Sequence, residues 1–250
     1  MASRKRMVWA LDYPGRRDES RIRDLNLEAA GWQVRYLLTA PFPQSLTSAE
    51  YAAALIDDDS GDDVSAVLAY CSGAPIAQEL VTSRAVPLLL FDGEPSLLAG
   101  LRRDAAAAAA QIGAGAAACA GPAEHFTDYQ LSREPARCAD RLRTWLIELG
   151  VSALRADGAE QAEAEETAAD IACFYLDWLV FLIAAHNTRW PDFEADLVHV
   201  VSRSHRFTDR WPGSRNTELI RVDSGRNELL DHPQARRLAL SFLDRVAVPA

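Results

Sequence analysis

The sequence predicts an α/β protein built on a doubly wound, mostly parallel sheet. Three observations carry that expectation. Apolar runs of strand length alternate with helical segments. One unit, VSAVLAYC–SGAPIAQELVTSR–VPLLLFD (64–92), reads as strand, helix and parallel strand. After Asp92 the periodicity turns helical and alanine-rich until about Asn187, and then returns to strand and helix. The expected boundaries are a core of 1–96 and 188–250, with a helical insertion at 97–187 lying over the strand ends as a lid.

In order, MVWALDYPG (7–15) reads as a buried strand ending in a turn, and Arg17 to Ala30 as an amphipathic helix stopped by Gly31. Trp32 to Leu38 is a second strand. Ser48 caps a helix reaching about Ile56. The acidic run DDDSGDD is a solvated loop; its spacing does not fit an EF-hand calcium site. In the insertion, helical segments are expected at 104–120, at 135–149 and from Ala159 to Ala185. The last ends in CFYLDWLVFLIAA, a helix buried on most sides or a wall facing an acyl chain. Strands at 196–205 and 217–225 and a helix from His232 to Val246 complete the chain.

Composition narrows the function. A net charge of −10 argues against nucleic-acid or anionic-membrane partners. The cysteines at 71, 119, 138 and 173 have neither CxxC pairing nor zinc-site spacing, so no metal is expected and a reduced, cytoplasmic protein is. The most apolar segment contains Asp177 and is shorter than a membrane span.

The chemistry centres on Cys71. Ala69-Tyr70-Cys71-Ser72-Gly73-Ala74 has the small–x–nucleophile–x–small–small spacing of a nucleophile elbow. Only small neighbours let a side chain project above the sheet from a sharp strand-to-helix corner. The helix that follows points its first amides and positive end at that side chain. The plainer reading is a buried, inert cysteine. Asp92, ending the neighbouring strand, suits an acid; its plainer reading is a loop cap.

These pieces, in this order and over most of the chain, resemble the α/β-hydrolase-fold thioesterases of polyketide and nonribosomal peptide biosynthesis. AYCSGA stands where that family has G-x-S-x-G. LLLFDGEP resembles the strand that ends in an acid. The insertion resembles the helical lid, DSGRNELLDHPQARRLALSFL the final loop and helix, and YPGRRD a loop of stand-alone members.

The resemblance implies acyl chemistry on thioesters carried by the phosphopantetheine arm of an acyl or peptidyl carrier protein, with no cofactor of the enzyme's own. It implies Cys71 as nucleophile, Asp92 as acid, and an oxyanion hole from the amide of Ser72 and that of Gly15 or Tyr13. Hydrolysis, acyl transfer and cyclisation are all open, as is an inactive protein that binds a carrier or acyl intermediate.

Two departures stand out. Cysteine replaces serine, and Arg226 occupies the usual histidine position. Arginine cannot serve as a base at neutral pH. It is left to hold a Cys71 thiolate, to clamp a substrate anion, to pair with Asp92, or to mark a dead site. His205 and His232 are the alternative bases, although each reads more simply as structural; His199 reads as packed.

Overall fold

The computed structural model describes residues 7–14, 19–56, 63–95, 97–113 and 121–247. Gly15, Cys119 and most of the acidic run at 57–63 lie outside them. The described chain divides into two compact units, one of residues 1–42, 52–95 and 188–250, the other of 43–51 and 96–187.

The first unit holds a six-stranded sheet, all parallel: β1 (Met7–Leu11), β2 (Gln33–Tyr36), β3 (Val64–Tyr70), β4 (Leu88–Phe91), β5 (Leu197–Val201) and β6 (Thr217–Arg221), in the order β2-β1-β3-β4-β5-β6. This is the doubly wound fold the alternation predicts. Strand order reverses between β1 and β3, so the carboxyl end of β3 lies at the switch point of the sheet, where open α/β sheets carry their sites.

The central strands are apolar on both faces because both are covered. Alternate residues (Val8, Ala10, Leu68, Leu89, Val198 and Val200) join a core with Ala235, Ala239, Phe242 and Leu243 of α7 (Pro233–Ala247). Burying Phe242 and Leu243 contributes about 2–3 kcal/mol each. The opposite parity meets α2 (Ala74–Arg84), whose Arg84 guanidinium stacks 5.4 Å from the ring centre of Trp9.

Buried Gln78 of α2 fixes the chain around β5. Its Nε2 donates to the carbonyls of Pro191 (2.7 Å) and Pro212 (3.0 Å), while its Oε1 accepts from Trp211 Nε1 (2.8 Å).

Several boundaries differ from the sequence reading. The helix expected over 17–30 is absent from its described part, where two 3₁₀ turns stand instead, Ile22–Leu25 and Glu28–Ala30. Asn26 (φ 50°) and Gly31 (φ 86°) take left-handed backbone, ending each turn after one winding. Ile22, Leu25 and Leu27 still reach the core, which is the periodicity that suggested a helix. The strand expected over 7–15 stops at Leu11, that over 217–225 at Arg221, and that over 196–205 at Val201. His205 therefore stands on a loop beyond β5, not at a strand end.

In the second unit, α3 (Leu98–Gln111), α4 (Asp128–Arg133), α5 (Pro135–Ala156) and α6 (Gln161–His186) pack together. The unit boundary falls within α1 (Ser48–Leu55). Helices α5 and α6 approach closely because Gly150 faces Ala168: a Cβ on Gly150 would stand 2.8 Å from the Ala168 Cβ. Ala164, Ala168, Ala172, Leu176 and Leu179 form the buried stripe of α6. Asn187 closes the unit, its Nδ2 donating to the carbonyls of Leu46 and Leu131, both at 2.9 Å. Among the described residues, α6 is the one helix long and apolar enough to cross a bilayer; here its apolar half is largely buried.

At the end of β1, Asp12 accepts from the Ile22 amide at 2.8 Å, tying the first 3₁₀ turn to the sheet. Burial pushes its carboxyl up to about 6, against the Ile22 bond and the charges of Arg21 and Arg23. The folded value lies above the unfolded one, so this group's contribution is complete below about pH 4 and is lost as pH rises through about 6. Asp12→Asn, which keeps the accepting oxygen, should match the native protein in urea at pH 4 and exceed it above pH 6 by on the order of 2 kcal/mol. The same difference at both pH values would contradict the assignment.

Candidate active site

Cys71 follows β3 directly and begins a 3₁₀ turn, Cys71–Gly73, that runs into α2. Its φ of 53° is left-handed, a conformation unfavourable for a side chain of this kind, and it turns the chain within one residue. The small neighbours are required by contact. A Cβ on Gly73 would stand 2.9 Å from the Leu11 carbonyl oxygen at the end of β1. Gly93 is equally enclosed, by Trp211, Ala74 and His199 at 3.0–3.3 Å. The Glu94 amide donates to the Cys71 carbonyl at 3.3 Å, joining the chain beyond β4 to the elbow.

Arg226 is the partner of the thiol. It opens a 3₁₀ turn, Arg226–Glu228, and its Nη2 donates to Cys71 Sγ at 2.6 Å. The same guanidinium lies 3.4 Å from Glu94 Oε1 through Nη1 and 3.6 Å from Glu19 Oε1 through Nε. The Arg226 loop is held from the other side. Ser20 donates its amide to the Asn227 carbonyl (2.7 Å), and its hydroxyl accepts from the Leu230 amide (2.9 Å). Tyr70 donates its hydroxyl to Glu19 at 2.9 Å, and its pKa is raised by burial first and then by that carboxylate.

Burial opposes the charge on Arg226. The ionisable acids around it, Cys71 first and then Tyr70, Glu19 and Asp92, more than reverse this and raise its pKa. Arg226 is a fixed cation facing the sulfur.

Asp92 is fully buried just beyond β4, with left-handed backbone (φ 43°). Its two oxygens accept from the amide and the hydroxyl of Ser202, each at 2.7 Å. His205 Nδ1 lies 3.4 Å from Asp92 Oδ1 and 3.9 Å from Glu94 Oε1. The described contacts of Asp92 are therefore with Ser202 and His205, and the Asp92–Arg226 pair considered from the sequence is not formed. An acid–histidine pair exists, but its histidine meets Asp92 and Glu94 rather than Cys71.

His199 sits mid-strand and buried, accepting from the Gly93 amide at 2.9 Å through Nε2, and burial, with His205 beside it, pushes it down to about 3. It stays neutral at any physiological pH. His232, expected to begin the last helix, stands just ahead of α7, where its Nδ1 accepts from the Gln234 amide at 3.3 Å. In the second unit, burial lowers His186, which lies 3.5 Å from Asp128.

Ser72, the residue after Cys71, is buried within the turn. Gly15, the other expected oxyanion donor, is outside the described residues; Tyr13 stacks on Phe42 at 4.9 Å. Glu94, Glu19 and Tyr70 were not singled out in the sequence. A signal existed for Glu94, the second acid of DGE two residues beyond Asp92; for Glu19, separated from Arg226 by most of the chain, there was none. No metal-binding group of three or more ligands occurs among the described residues.

No family model and no curated protein matches the sequence. Solved structures do match. One is a four-domain nonribosomal peptide synthetase bound to AMP and glycine, 14% identical with a TM-score of 0.53. It is matched over 97% of this chain, which spans only 19% of the synthetase. Another is a point mutant assigned as an epoxide hydrolase from Pseudomonas aeruginosa, 12% identical, TM-score 0.52, covering 96% of this chain and 88% of that one. A thioesterase domain, NocB, in covalent complex with a nocardicin G analogue is 15% identical, TM-score 0.49, covering 97% and 94%. At these identities the likeness concerns fold. The parallel sheet, the turn at Cys71 and the likeness to the epoxide hydrolase structure define an α/β-hydrolase fold.

Two measurements probe the site. Arg226→Met should slow iodoacetamide alkylation of Cys71 at pH 7 by on the order of tenfold and move its pH midpoint upward, because the cation that favours the thiolate is gone. An unchanged pH profile would show that Arg226 does not act on the sulfur. Gly73→Ala should cost about 1–3 kcal/mol in urea unfolding, since the methyl meets the Leu11 carbonyl; a neutral result would show that the turn relaxes freely.

Proposed function

We propose that this chain is a thioesterase-like acyl-handling enzyme of polyketide or nonribosomal peptide assembly, acting in the cytoplasm on thioesters borne by an acyl or peptidyl carrier protein. The observation that carries the reading is Arg226 Nη2 at 2.6 Å from Cys71 Sγ, with the cysteine in left-handed backbone at the end of β3. A solved neighbour that is a nonribosomal peptide synthetase accords with the setting.

The chemistry follows from the charges. A thiolate attacking a thioester expels another thiolate, so neither the entering nor the leaving sulfur exchanges a proton in that step. A cation beside Cys71 therefore suffices for acylation, where a serine would require a base. Amides at the start of the turn, Ser72 first, meet the oxyanion. Discharge is different: water, amine or alcohol must lose a proton, and the described contacts of His205 and His232 do not include Cys71. Acyl transfer or cyclisation, with the thioester energy retained until an acceptor arrives, accords with this arrangement at least as well as hydrolysis.

A second reading has its own observation. Arg226 stands where a base is expected, which also accords with a protein that binds a carrier or acyl intermediate without turnover.

Exposing the protein to a panel of acyl-phosphopantetheine thioesters should add one acyl mass, mapped to Cys71 and missing in Cys71→Ala. Unmodified native protein throughout the panel would reject the covalent reading. Biological output retained by Cys71→Ala would support the non-catalytic one.

A further inference from the structure

Discharge of an acyl-Cys71 needs a proton acceptor, and among the described residues Glu94 is the more exposed of the two carboxylates on the Arg226 guanidinium. We propose that Glu94 is the catalytic base that activates the acceptor attacking the acyl group on Cys71; this rests on Cys71 being the nucleophile.

Glu94 is fixed to the site at both backbone and side chain. Its amide donates to the Cys71 carbonyl at 3.3 Å, and its Oε1 lies 3.4 Å from Arg226 Nη1, the nitrogen beside the one that meets Cys71. One guanidinium thus holds the thiol and the carboxylate on adjacent nitrogens. The side chain remains 34% exposed, so an acceptor can reach it, whereas Asp92 is wholly buried and His205 nearly so. His205 Nδ1 stands 3.9 Å behind Glu94 and is itself backed by Asp92 at 3.4 Å. Among the described residues, the groups facing the Glu94 carboxylate are Arg226 and His205, with the Cys71 sulfur across the guanidinium and Asp92 behind the imidazole.

In the step, the acceptor's N–H or O–H bond breaks and its proton passes to the Glu94 carboxylate. The freed pair bonds the acyl carbon, the carbon–sulfur bond breaks, and its electrons return to Sγ as a thiolate facing Arg226. Protonated Glu94 then releases its proton to solvent along its exposed edge.

The test separates charging from discharge. Protein acylated with octanoyl-pantetheine is followed by intact mass in single turnover, with water and with glycinamide as acceptors. Glu94→Gln should charge within a few-fold of the native rate and discharge roughly a hundredfold more slowly or worse. Glu94→Asp should restore part of the lost discharge rate. Normal discharge by Glu94→Gln overturns the inference, as does an equal fall in charging and discharge, which would make Glu94 only a holder of Arg226. Native protein that never charges overturns the nucleophile reading itself, a result distinct from either.

Discussion

A left-handed residue at the end of β3 is the constraint to which the first unit is fitted. Cys71 at φ 53° carries a backbone cost of about 1–3 kcal/mol, offset only if its surroundings hold the turn in place. They do so from three directions. The end of β1 leaves room for no side chain at position 73, Ala74 packs beneath Gly93, and the Glu94 amide bonds the Cys71 carbonyl. The parallel pairing of β3 with both β1 and β4 brings these parts together, so the turn depends on the register of the sheet. A free cysteine needed only for packing would not require this conformation.

The electrostatics around the turn separate two tasks that one histidine usually combines. A histidine both favours the ionised nucleophile and carries protons for the acceptor. Here the first task falls to a permanent cation in contact with the sulfur. Cysteine makes that division workable, because a thiol ionises far more readily than a hydroxyl. Under the proposed chemistry, arginine in the loop before α7 suits a cysteine elbow and would leave a serine elbow without activation.

Much of this was legible in the sequence, and the limits have physical causes. The strand–turn–helix at 64–84 was readable because small residues at fixed offsets around Cys71 report a steric requirement that the Leu11 carbonyl makes explicit. Arg226 opposite Cys71 was readable from the order of the segments. The 3₁₀ turns at 22–30 were not, since their apolar spacing serves a core just as a helix would, and the deciding feature is left-handed backbone at Asn26. The contacts of Asp92 were left open by the sequence for a related reason. Its partners, Ser202 and His205, come from a loop that a longer strand had been expected to occupy. Glu19 had no local signal, because it reaches Arg226 through hydrogen bonds between Ser20 and residues 227 and 230.

The acid–histidine pair is supported apart from the Cys71–Arg226 contact. Asp92 is wholly buried, and a buried carboxylate is tolerable only when its oxygens are satisfied. Ser202 does this with two bonds, and His205 adds a third neighbour. Those partners belong to the loop after β5, whose later part Gln78 pins to α2 through Pro212 and Trp211. The Arg203 amide and the Arg221 guanidinium tie the same loop to the segment that leads to Arg226. Arg226, in turn, is held by the anions in front of it and by the Ser20 bonds to its loop. Glu94 is where the two halves meet: it stands between the guanidinium that contacts Cys71 and the imidazole that contacts Asp92.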